Sequence, residues 1–167
     1  MLQPNHREKT VARSNSSEVQ ESLNIKRILS APIEQVFAAW TNPEALAIWF
    51  RPAGFTVTTT EIDLRAGGKY LIVIQRPDKT EISHYGEYVD ILAPEKLIFT
   101  WIIDNQDCGG SAGVCAETLV TIKFRRIGKS TEVQLTHERL PSKAAYEGHG
   151  YGWNATLDEL EQYLRKL

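Results

Sequence analysis

Cysteine is scarce in this chain: 167 residues carry two, Cys108 and Cys115. In a reducing compartment such a pair reads as free thiols rather than a disulfide framework. Metal-ligand spacing is missing, since neither H-x-x-x-H nor paired C-x-x-C occurs, so no metal is expected. No apolar run approaches the roughly 20 residues of a membrane span. The first 22 residues lack the apolar stretch of a signal peptide, which places the expected location in the cytoplasm. Charge of one sign is also lacking. The formal net charge is -2 and no basic stripe runs along the chain, so nucleic acid is not an expected partner.

What is present belongs to a globular domain: 42% apolar and 24% charged residues. A chain this long buries a substantial core without staples. Residues 1–23 are polar, mixed in charge and without a sustained period, and read as an N-terminal arm. Ser17–Leu23 is a candidate short helix within it, and a homodimer is one arrangement that would hold such an arm. Residues 24–167 read as one domain.

Asn24–Leu29 is a strand candidate. Ser30 reads as an N-cap with Pro32 in the first helical turn, and Val36, Phe37 and Trp40 then form a buried face. Asn42-Pro43 repeats the signal and starts a short second helix ending near Trp49. Strands follow over Phe55–Leu64, Lys69–Gln75, Ser83–Ile91, Lys96–Ile103, Ala116–Arg126 and Ser130–Glu138. Gly67-Gly68, Pro77-Asp78, Ala93-Pro94 and Gly128-Lys129 supply turn chemistry between them. Such short connections favour antiparallel neighbours. Lys143–Leu167 carries Tyr146, His149, Trp153, Leu157, Leu160 and Leu164 as one helical stripe. The expected fold is α+β, ordered β-α-α-β6-α: one curved antiparallel sheet of about seven strands wrapped around a long C-terminal helix.

The first half of that last helix carries Gly148, Gly150 and Gly152. Each costs roughly 1 kcal/mol relative to alanine in a helix interior. Either the backbone approaches the sheet closely there, or room is left for something else. The facing strands present Phe99 and Trp101, then Val120, Ile122 and Phe124, then Val133, Leu135 and His137. Aromatic and aliphatic walls with a few polar groups are the usual lining of a small-molecule site.

Four segments carry a family resemblance. SAPIEQVFAAWTNPEALAIWF, LRAGGKY, YGEYVDILAPEKLIFTW and GHGYGWNATLDELEQYL occur in that order. They resemble the opening motif, the Arg-x-Gly-Gly turn, the Gly-x-Tyr strand with its Pro-Glu-x-Leu turn, and the Gly-Trp helix of proteins similar to the activator of heat-shock protein 90 ATPase. These belong to the START-like (SRPBCC) superfamily, whose birch-pollen-allergen members define the helix-grip fold. The resemblance spans about Asn24–Leu167. It implies a mostly apolar pocket between sheet and C-terminal helix, with Trp40, Trp49, Phe50, Trp101 and Trp153 as framework or pocket residues. The chaperone activators carry a further N-terminal domain, for which the arm before Asn24 is far too short.

Other motifs dissolve in context. Gly109-Gly110-Ser111-Ala112-Gly113 matches G-x-S-x-G, but a nucleophile elbow needs a helix after it, and a strand-like segment follows. The loop DNQDCGGSAGVCAE around it is long enough to act as a flap over a pocket mouth. Gly128-Lys129-Ser130 lacks the upstream glycine of a phosphate loop and reads as a hairpin turn.

Three functions are expected in order. The first is a carrier or sensor of an apolar ring-containing or acyl ligand, without a cofactor, with a stress-related role as one option. Its ligand-binding candidates are Trp40, Trp49, Phe50, Tyr70, Tyr88, Phe99, Trp101, Ile122, Phe124, His137, His149, Gly152 and Trp153. The second is an enzyme working on such a ligand by acid–base chemistry through His137 or His149. The third is a chaperone-interacting module, which requires an exposed apolar patch.

Overall fold

The computed structural model describes residues 22–104 and 115–167. The arm, the candidate helix at residues 17–23 and the G-x-S-x-G loop therefore lie outside the described residues, apart from Ser22 and Leu23. Leu23 is buried and opens the first strand.

The order is β1 (Leu23–Leu29), α1 (Ile33–Thr41), α2 (Pro43–Trp49), β2 (Thr56–Ile62), β3 (Lys69–Gln75), β4 (Glu81–Leu92), β5 (Lys96–Asp104), β6 (Thr118–Ile127), β7 (Ser130–Glu138) and α3 (Lys143–Arg165). The seven strands make one curved sheet in the order β1-β7-β6-β5-β4-β3-β2, every pair antiparallel. β2 to β7 follow one another as a meander. β1 closes beside β7, so α1 and α2 carry the chain from one sheet edge to the other. This is the helix-grip arrangement that the pattern predicts.

Burial alternates along β5 to β7, as period-two strands with one covered face require. The covered face holds Leu97, Phe99, Trp101, Val120, Ile122, Phe124, Val133 and Leu135. The C-terminal half of α3 seals it with Leu157, Leu160 and Leu164, whose spacing keeps them on one helical face. No helix among the described residues is long and apolar enough to cross a membrane.

Ser30 is not the cap of α1. The N-cap is Pro32, extended at φ -61° and ψ 149°, with no side-chain cap. Its carbonyl accepts from Gln35 and Val36 instead. Asn42 does cap α2, its side chain accepting from the Glu44 N–H at 2.8 Å. Asn42→Ala is expected to lower stability by about 1 kcal/mol in urea unfolding. A change under about 0.3 kcal/mol would mean that Pro43 alone holds the helix start.

Candidate functional site

The first half of α3 does not seal the sheet. Ala144, Gly148, Gly152 and Thr156 form one i, i+4 row, and Ala145, His149 and Trp153 form the next. Both rows face a recess of about 730 Å³. Its other walls are Phe50 and Pro52 after α2, Ile74 of β3, His84 of β4, Trp101 and Ile103 of β5, Cys115 and Ala116 before β6, Thr118 of β6, and Pro141 and Ser142 before α3. Small-molecule sites run from about 300 to 1,000 Å³.

Two of the three glycines have the same explanation. A Cβ built on Gly148 or Gly152 meets nothing within 4 Å, so their side-chain positions are open space. Gly150 differs, since a Cβ there would touch Leu23 Cδ1 at an ordinary 3.6 Å. None of the three is needed for close approach to the sheet.

An aromatic cluster forms the floor. Trp101 and Trp153 lie 4.8 Å apart by ring centroids, and Phe50 contacts both at 6.0 and 6.1 Å. Trp40 stands behind them, 4.9 Å from Trp49 and 6.2 Å from Trp153.

Hydrogen bonds fix the histidine tautomers. An indole N–H only donates. Trp153 Nε1 therefore donates to His137 Nδ1 at 3.0 Å, which leaves the neutral ring's proton on Nε2. Nε2 donates to Thr118 Oγ1 at 2.7 Å, and that hydroxyl donates to the Trp101 carbonyl at 2.9 Å. His149 is pinned in the opposite sense. Its Nδ1 donates to the Ala145 carbonyl at 2.8 Å, and Nε2 accepts from Trp101 Nε1 at 3.3 Å. The two rings meet edge to face at 4.6 Å. Both nitrogens of both rings are thus committed. His137 has no exposed surface, and burial followed by the neighbouring His149 pushes its pKa down to about 3. Burial also lowers His149, partly countered by its bond to Ala145.

His84 is the third buried histidine. It packs against Trp101 at 5.0 Å and Phe50 at 5.9 Å, and burial lowers its pKa to about 4. Its Nδ1 lies 3.3 Å from the Ile72 carbonyl.

Of the residues expected at the ligand, Phe50, Trp101, His149, Gly152 and Trp153 line the recess. Trp40, Tyr70, Tyr88 and Phe99 line a separate void of only about 20 Å³, room for about one water. There the Tyr70 hydroxyl donates to the Thr100 carbonyl at 2.6 Å, and burial raises the pKa of Tyr88 to about 12. Trp49, Ile122 and Phe124 sit in the packed core, Trp49 donating to the Ala39 carbonyl at 2.9 Å. His137 lies behind the recess wall, not in it. His84 and Thr156 were not among the expected residues. Strand alternation does place His84 on the face of Ile82 and Tyr88, and Thr156 continues the row of Gly148 and Gly152.

The expectation of free thiols is overturned at Cys115, which is disulfide-bonded; Cys108 lies outside the described residues.

Solved structures with this fold include a Chromobacterium violaceum protein, 25% identical at a TM-score of 0.75, with 87% of this chain and 98% of that one covered. The AHSA1 protein of Silicibacter pomeroyi is 24% identical at 0.73, covering 87% and 98%. An Arthrobacter aurescens protein is 20% identical at 0.75, covering 87% of each chain. At such identities the likeness concerns the fold. No curated protein matches the chain. The family model described as Activator of Hsp90 ATPase homolog 1-like protein matches residues 30–165, from the turn before α1 to the end of α3. With its sheet, its gripped helix and that match, the chain belongs to the Activator of Hsp90 ATPase homolog 1-like family.

Proposed function

We propose that this domain is a carrier or sensor that holds an apolar, ring-containing small molecule in the recess between α3 and the sheet. The observation carrying the reading is the pair of glycines on the helix wall. A helix interior tolerates them at a cost of roughly 1 kcal/mol each, and packing gives no reason for either. Space kept at that cost opposite Phe50, Trp101 and Trp153 suits a flat apolar ligand. Burying it releases roughly 25 cal/mol per Å² of apolar surface. Stacking on the indoles adds about 0.5–1.5 kcal/mol.

Gly152→Leu tests this. The new side chain enters open space and improves helix propensity, so the melting temperature is expected to hold or rise. Uptake of an apolar fluorescent dye is expected to weaken at least tenfold. Undiminished dye binding by the folded variant would remove the recess as the binding site.

The acid–base reading has less support at the histidines first considered for it. His137 and His149 have no ring nitrogen left to exchange a proton with a ligand without breaking a bond to Trp153, Thr118, Trp101 or Ala145.

A further inference from the structure

Two polar side chains lining the recess, both more than nine-tenths buried, are left with hydrogen-bonding capacity unused. His84 and Thr156 are each 7% exposed, one on the sheet wall and one on the helix wall. His84 makes one hydrogen bond among the described residues, from Nδ1 to the Ile72 carbonyl, and the Thr156 hydroxyl makes none. Neither group is sealed in the protein. Trp40 Nε1 is the one fully enclosed side-chain polar atom without a partner among the described residues, so His84 and Thr156 keep contact with the space they line. Buried polar groups left without partners are costly, and such groups at the wall of a cavity are normally met by what fills it.

The chemistry of His84 sets the complement. A carbonyl only accepts, so the proton of the neutral ring belongs on Nδ1, facing Ile72. Nε2 then carries a bare lone pair, on a ring that packs against Phe50 and Trp101. The competing donors nearby are occupied, since Trp101 and Trp153 give their N–H groups to His149 and His137.

We infer that the recess selects flat ring compounds bearing a neutral hydrogen-bond donor, a phenolic O–H or a ring N–H, which His84 Nε2 accepts. This rests on the ligand-binding reading above and adds the polarity of the ligand. Thr156 supplies a second contact from the helix side, able to donate or accept. A methyl ether of the same ring keeps the apolar surface and loses the donor, leaving Nε2 facing a methyl group.

Calorimetric titration of the wild-type protein with 2-naphthol and 2-methoxynaphthalene separates the possibilities. 2-Naphthol is expected to bind at least tenfold tighter, and His84→Phe to bring the two within about twofold. Equal binding by the wild-type protein would overturn the donor selection while leaving the apolar site in place. A naphthol preference that survives in folded His84→Phe would overturn the role of His84. Binding of neither compound would overturn the recess reading and this inference with it. The wild-type comparison decides the selection even where the variant does not fold.

Discussion

Lowering the pH from 7 to 5 is expected to remove about 4 kcal/mol of folding stability, a large share of the roughly 5–15 kcal/mol that a domain has. The source is the buried histidine group. His84 is held down at about 4 and His137 at about 3, against 6.5 for the ordinary side chain, and burial is the leading cause for both. Their folded-state pKa values are depressed, so in this window the unfolded chain binds protons that the folded protein refuses. Stability is therefore complete above about pH 6.5 and is lost as the pH falls toward 4 and then 3. At pH 5 each histidine accounts for roughly 2 kcal/mol. His149 pulls in the same direction, because its pKa is lowered too. Protonating His137 would also break its bond from Trp153 Nε1, which needs the Nδ1 lone pair. Urea unfolding at pH 5, 6, 7 and 8 is the measurement, with a flat response expected between 7 and 8. His84→Phe should remove about half the pH dependence. A midpoint unchanged from pH 7 to pH 5 would show that these rings are not neutral and buried as described.

Gly86→Ala is expected to destabilise the domain by about 3 kcal/mol or more, lowering the melting temperature by roughly 10 °C. Gly86 sits inside β4 opposite Tyr70 of β3. A Cβ there would collide with the carbonyl oxygen of Thr100 on β5, and with its carbonyl carbon at 2.7 Å. The two nearest atoms are backbone, and the third, Thr100 Oγ1, is the near end of a short side chain, so nothing flexible can yield. Thr100 is also tied in place: its carbonyl accepts from the Tyr70 hydroxyl at 2.6 Å, and its hydroxyl accepts from the Glu87 N–H at 2.9 Å. Moving Thr100 breaks both. At Gly152 the same substitution meets open space and should stabilise. Thermal melts of the two alanine variants are therefore expected to shift in opposite directions. A Gly86→Ala protein within about 0.5 kcal/mol of wild type would mean that β4 and β5 separate there without strain.

The Gly-x-Tyr and Arg-x-Gly-Gly segments thus have backbone reasons. Gly67 takes φ +81°, a left-handed conformation that glycine favours, and a Cβ on Gly68 would strike the Asp63 carbonyl. Sequence shows that glycines stand in these places. In the folded domain Gly68 and Gly86 are required by close backbone contact, whereas Gly148 and Gly152 border empty space. Composition and spacing are alike in the two cases; the neighbour across the gap differs, and that neighbour is Thr100, 14 residues from Gly86 in the chain.

Among the histidines, His149 falls on the helical stripe of Trp153 and Leu157, and His137 on the inward face of Val133 and Leu135, both by periodicity alone. Periodicity says which face a ring shares, not how deep along the strand the cavity reaches. His137 is one layer beyond it, and its nitrogens go to Trp153 and Thr118, partners 16 and 19 residues away. His84 shares a face with Tyr88 by the same alternation, yet Tyr88 borders the small void and His84 the large one.

Local patterning by itself determined the elements, their order and the antiparallel sheet gripping α3. Those follow from period-two and helical repeats, short turns and an Asn-Pro cap, all written within a few residues of one another. Only the tertiary structure decided where the recess lies, which histidine keeps an unshared lone pair in it and which glycines leave it open. Each of those depends on distances between side chains brought together from β3, β4, β5 and α3, and no local repeat encodes such a distance.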